Sequence, residues 1–146
     1  MSFLKMVRKL VTSYQSLEKL GSKYIRTLGF TSGQFDVIVT LGNQPPMSCS
    51  ELAEKTLMVK GNLTVILDGL LKKGLINKTP NPIDGRGIIV SLTEKGEETF
   101  VRIFNAHLAY LEPLAKSFSD EELTELINNF DSILRKIDNF NRLDRK

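Results

Sequence analysis

Lys60, Asn62 and Thr64 fall within five residues and are side chains suited to reading nucleic-acid bases. Asn and Thr hydrogen-bond to base edges, and Lys meets a guanine edge or a phosphate. Further along, Asp84-Gly85-Arg86 sets a guanidinium two residues from a carboxylate. An extended arginine at a narrow turn can enter a minor groove, and the carboxylate could hold it in a bidentate pair. Lys78 stands in the segment leading into that turn. Lys60, Asn62, Thr64, Lys78, Asp84 and Arg86 are therefore the candidate DNA-binding residues. Other chemistries find little material. One cysteine, Cys49, and one histidine, His107, exclude an internal disulfide, a cysteine-based zinc site and any site needing two imidazoles. There is no nucleophile–base pair, no carboxylate dyad and no phosphate-binding glycine loop. The expectation is no enzyme, no cofactor and no metal, with His107 a packing or interface residue and Cys49 structural.

Such residues need elements to hold them. Thr31 with Gln34, Ser48 with Glu51, and Ser119 with Glu122 each have a hydroxyl at a helix N-cap and an amide or carboxylate three residues on. Each pattern predicts a capping box, with apolar neighbours able to form a staple. Gly42-Asn43 and Pro45-Pro46 end the helix begun at Thr31. The Ser48 helix is short and leads into Val59–Lys73, where Leu63, Ile66, Leu67, Leu70 and Leu71 recur at helical spacing and Gly74 closes the end. Two helices joined by a few residues form a helix-turn-helix. Residues 75–79 and 87–92 then read as strands around an Asp-Gly turn, with Ile88, Val90 and Leu92 alternating. Pro80 and Pro82 permit only an edge strand or loop. A β-hairpin directly after the second helix is a wing.

Long amphipathic helices flank this unit. Phe3, Val7, Leu10, Tyr14, Leu17, Gly21, Tyr24 and Leu28 keep a 4-3 heptad spacing. Such a stripe packs on its own core or on a second copy, and spacing does not name the partner. Thr93 caps a long helix through Leu114 that Pro113 should bend, and Leu123 through Phe140 form a last apolar helix.

Length and composition agree with one globular domain: 146 residues, 41% hydrophobic and 25% charged. Charge is uneven. Residues 1–30 hold six basic side chains against one acidic, whereas residues 97–146 hold seven against ten. The acidic end should face away from a polyanion, and the net +3 permits nucleic-acid binding without requiring it. There is no apolar run of membrane-spanning length and no secretory leader pattern, so a soluble cytoplasmic protein is expected.

The chain resembles the multiple-antibiotic-resistance regulator (MarR) family of winged helix-turn-helix transcription factors. The match runs through Ser50-Glu51-Leu52-Ala53-Glu54-Lys55, Leu67-Asp68-Gly69-Leu70, Lys73-Gly74-Leu75-Ile76, Asp84-Gly85-Arg86 and Ser91-Leu92-Thr93-Glu94-Lys95-Gly96. It is strongest over residues 48–96. The resemblance implies a single domain over 1–146, mainly α with a small β-hairpin wing. Residues 30–96 would form the DNA-binding lobe, with residues 1–29 and 97–146 as dimerisation helices. It implies a homodimer on double-stranded DNA, usually a repressor on an inverted-repeat operator, often released by a small aromatic effector. Val59–Lys73 would be the recognition helix, and Arg86, oriented by Asp84, would enter the minor groove. The chain departs from the family where relatives carry a hydroxyl or Asn cap at Val59, and Arg at Val65, Gly69 or Gly85. These departures imply a different target site or a modest affinity. They also keep open a dimeric winged-helix module that acts by protein contact with weak or no DNA binding.

Overall fold

The computed structural model describes residues 2–143. The chain runs α1 (Ser2–Thr27), α2 (Ser32–Leu41), β1 (Met47–Ser48), α3 (Cys49–Thr56), α4 (Lys60–Lys72), β2 (Ile76–Pro80), β3 (Ile88–Leu92), α5 (Glu94–Ala115) and α6 (Asp120–Leu143). The fold is mainly helical with one antiparallel sheet of order β1-β3-β2. It divides into two compact units, Met1–Tyr110 and Leu111–Lys146, with the boundary close to Pro113 of α5.

Two of the three expected capping boxes are complete. Thr31 Oγ1 accepts from the Gln34 amide at 3.2 Å, while the Thr31 amide donates to Gln34 Oε1. At α6 the Glu122 amide donates to Ser119 Oγ at 3.2 Å and the Ser119 amide to Glu122 Oε2 at 2.8 Å. The third is half-formed. Ser48 Oγ accepts from the Glu51 amide at 3.1 Å, but the return bond is missing. Ser48 lies extended in β1 opposite Ile89, and the Glu51 carboxylate approaches Lys55 instead, at 3.9 Å.

That two-residue strand extends the expected hairpin into a three-stranded sheet. β3 becomes central and β2 an edge, so Pro80 stands where a missing amide costs no ladder bond. Of the alternating residues, Val90 is fully buried and Ile88 is exposed. β1 covers only Ile89 and Val90, leaving Ile88 beyond its reach.

The core of the first unit is apolar and continuous. Val37, Ile38 and Leu41 of α2, Leu52 of α3, Leu63, Leu67 and Leu70 of α4, Ile76 and Val90 of the sheet, and Ile103 of α5 are all essentially inaccessible. A fully buried aliphatic side chain contributes roughly 1.5–3 kcal/mol, so this cluster holds the helix-turn-helix as a rigid support. α1 joins it through Ile25, while Phe3, Tyr14 and Leu17 of its stripe stay exposed. In the second unit α6 buries no residue, and Ile127, Phe130, Leu134 and Phe140 are exposed.

Candidate nucleic-acid interface

The interface begins where α3 hands over to α4. Leu57 closes α3 in the left-handed region, φ 56° and ψ 28°, and its side chain is 92% exposed. A leucine there is strained by about 1 kcal/mol and contributes nothing to the core. Its amide and that of Met58 reach back to Glu54 O (3.3 Å) and Ala53 O (3.1 Å), ending the helix abruptly. Val59 then takes the N-cap of α4 with extended backbone and no side-chain bond to the first-turn amides.

α4 presents what its sequence promises. Leu63, Leu67 and Leu70 face the core, leaving Lys60, Asn62, Thr64 and Val65 exposed on the first turns. Thr64 Oγ1 donates to Lys60 O at 3.1 Å, so its hydrogen is used within the helix and its oxygen remains an acceptor. Gly61 is open, and a Cβ there would meet nothing within 4 Å.

The far end of α4 is tied down. The Leu75 amide donates to Leu70 O (3.1 Å) and Gly74, at φ 70°, donates to Leu71 O (2.9 Å), a Schellman closure. Lys73 Nζ donates to Gly29 O at 2.9 Å and lies 4.4 Å from the Phe30 ring centroid. Thr93 Oγ1 donates to Gly74 O (2.8 Å) and accepts from the Gly96 amide (3.0 Å), and Lys95 Nζ donates to Lys73 O (3.0 Å). Gly96 sits so close that a Cβ would overlap the Leu75 carbonyl. The string Ser91–Gly96 is thus a clamp joining α4, the wing and α5.

The wing is a seven-residue loop, residues 81–87, between β2 and β3. Its base closes through the Asn81 amide to Gly87 O (2.8 Å), and its tip through the Gly87 amide to Asp84 O (2.9 Å). Asp84 Oδ1 accepts from the Arg86 backbone amide at 3.2 Å. No ion pair joins Asp84 to the Arg86 guanidinium among the described residues. The expected orienting role of Asp84 is therefore corrected. It shapes the backbone that carries Arg86, an Asx turn available because its carboxylate sits two residues before the amide. The Arg86 side chain is left exposed at the tip.

Lys78, also a candidate, forms an ion pair within the fold. Its Nζ lies 2.6 Å from Asp68 Oδ1, bracing the wing's edge strand against α4. The hydrogen bond from Lys78 holds the Asp68 carboxyl below the usual carboxylate range. The pair also neutralises a carboxylate on the outward side of α4. Sequence reasoning missed this brace because its two residues lie in different elements with no local spacing signal.

Away from this surface, α1, α2 and α5 frame a groove of about 280 Å³, lined by Tyr14, Leu17 and Gly21, by Phe35 and Asp36, and by His107. His107 packs edge-on to Phe35, with centroids 4.8 Å apart, and its Nδ1 is buried without a hydrogen-bond partner. Burial pushes the His107 imidazole down, whereas burial and the neighbouring Glu18 charge push the Asp36 carboxyl up. Cys49 opens α3, half-buried against the core.

Comparison with known proteins places this architecture. The model of the MarR family matches residues 30–88, from two residues before α2 to the first residue of β3. Over that stretch the winged helix-turn-helix is similar to that of the MarR family. The regulator MhqR of Bacillus subtilis, named as an HTH-type transcriptional regulator, is 28% identical over 82% of this chain and 83% of its own. SarZ of Staphylococcus aureus, named likewise, is 27% identical over 93% and 88%. The crystal structure of a mutant MarR from E. coli complexed with operator DNA superposes with a TM-score of 0.80 at 25% identity, covering 91% of this chain and 96% of that one. The MarR family is one of transcription regulators, not of enzymes. No helix among the described residues is long and apolar enough to cross a membrane.

Proposed function

We propose that this MarR-family chain is a cytoplasmic transcription regulator that binds an inverted-repeat operator as a homodimer. The observation that carries the reading is a set of exposed polar side chains on two elements tied to each other. Lys60, Asn62 and Thr64 are exposed at the start of α4, and Arg86 is exposed at the tip of the wing braced to that helix by Lys78 and Asp68. In this reading α4 lies in the major groove and Arg86 reaches the adjacent minor groove. The operator DNA held by the E. coli neighbour supports it. A second copy would cover the apolar stripes of α1 and α6, and its two-fold axis calls for half-sites about one helical turn apart. Repression needs nothing beyond occupancy of that site. The groove beside His107, aromatic on one side and holding an unpartnered imidazole nitrogen, suits a small aromatic effector that would shift the lobe and release DNA.

One observation favours a second reading. Leu57, Val59 and Val65 leave the region around the start of α4 more apolar than a phosphate-binding surface needs. A dimeric module that docks a protein on that face would use them. Selection of duplexes from a random pool, followed by a salt titration, separates the two. DNA binding predicts an enriched inverted repeat and a linear loss of log affinity with log salt. A pool that does not enrich selects the protein-docking reading.

A further inference from the structure

Val65 is hard to explain as part of the fold. It lies two residues past Leu63, and at 100° per residue it points nearly opposite the buried row Leu63, Leu67 and Leu70. Its side chain is 73% exposed. β-Branched residues are also poorer helix formers than the unbranched residues usual at such positions. On its own face of α4 the neighbouring side chains are polar, with exposed Asp68 three residues later. Asn62 lies three residues earlier on the same face, and Lys72 lies seven later, both exposed. Gly61, four residues earlier, presents no side chain, and nothing lies within 4 Å of where its Cβ would stand. An exposed isopropyl group with polar neighbours on its own helix face, beside a gap that lets the helix approach closely, does not suit a phosphate. It does suit the one apolar group on the major-groove edge of a base pair, the 5-methyl of thymine.

We propose that Val65 is a base-reading residue. Its methyl groups pack on a thymine 5-methyl, while Asn62 takes the N6/N7 edge of an adenine in a neighbouring pair, so the centre of each half-site is read as A·T pairs. This inference rests on the DNA-binding reading above and names the base class that α4 selects.

Deoxyuridine provides the test because it removes the methyl and leaves the base pairing intact. A duplex is first selected by the full-length protein from a random pool. Each thymine of its half-sites is then replaced in turn by deoxyuridine, and affinity is measured for wild type and Val65→Ala. One thymine per half-site should lose about fourfold in wild type, the worth of one buried methyl. Val65→Ala, at an exposed site where alanine favours the helix, should melt no lower and should bind the thymine and deoxyuridine duplexes equally. A wild type indifferent to every replacement overturns the proposal while leaving DNA binding intact. A variant that keeps the thymine preference does the same. A pool that never enriches overturns the DNA-binding reading and this inference with it.

Discussion

The two ends of α4 are built on opposite plans. Its C-terminus is over-determined: a Schellman closure, Lys73 on Gly29 O and over Phe30, Thr93 and Lys95 on the last carbonyls, and Gly96 packed against Leu75. Its N-terminus is under-determined, with a strained Leu57, a Val59 that caps nothing and a Gly61 with open space around it. Folding stability alone would favour a hydroxyl at Val59 and an alanine at Gly61. The contrast teaches that the fold specifies one end of the helix through many contacts and the other through few. Unpaired first-turn amides at the positive end of the dipole are groups that a phosphate can satisfy.

The largest break in that contrast comes from the clamped end. Gly96→Ala forces a methyl group into the Leu75 carbonyl and should destabilise the protein by about 3 kcal/mol, read as a fall in the denaturant midpoint. An unchanged midpoint would mean that α5 slides freely and the clamp is not tight. At the reading end the loss should appear in binding. Arg86→Ala should weaken operator affinity by roughly 1–3 kcal/mol with an unchanged melting temperature. Asp84→Ala removes only the Asx turn behind Arg86, so its effect should be smaller and in the same direction.

Val59→Ser sharpens the comparison because it repairs the free end. A serine at this N-cap should stabilise the fold by about 1 kcal/mol, whereas the same change at a residue already capped would give nothing. Loss of stability on Val59→Ser would show that the valine packs usefully where the structure leaves it exposed. The smallest expected effect is a pH dependence from the groove. The folded His107 imidazole titrates below its ordinary value, so the unfolded chain binds the proton first. Stability should therefore fall as pH drops through about 6.5 and on to the lower folded value. Asp36 has the opposite sign, since its raised folded pKa adds stability only once pH falls into the carboxylate range. Thermal melts between pH 7.5 and 5.5 should show the decline in wild type and a flatter profile in His107→Leu.

Much of this architecture is legible without coordinates because its signals are local. The boxes at Thr31 and Ser119, the leucine row of α4 and the Gly74 closure depend on residues within one or two turns, and each stands where spacing alone puts it. The candidate residues were legible by type and only partly by geometry. Lys60, Asn62, Thr64 and Arg86 are exposed as expected, but Asp84 holds a backbone amide rather than a guanidinium, and Lys78 is bound to Asp68. Those outcomes turn on side-chain contacts set by the wing's loop and its distance from α4, which no periodicity encodes. β1 escaped because two residues carry no alternation, and the half-formed box at Ser48 follows from that strand.

The account stands or falls on whether the free end of α4 reads DNA. The most direct measurement is selection by the full-length chain from a random duplex pool, followed by the stoichiometry and salt slope of the enriched sequence. The account predicts an inverted repeat with half-site centres about one helical turn apart, bound by two protomers and weakened by added salt. A pool that fails to enrich, or a sequence bound no better than its scrambled copy, would contradict it.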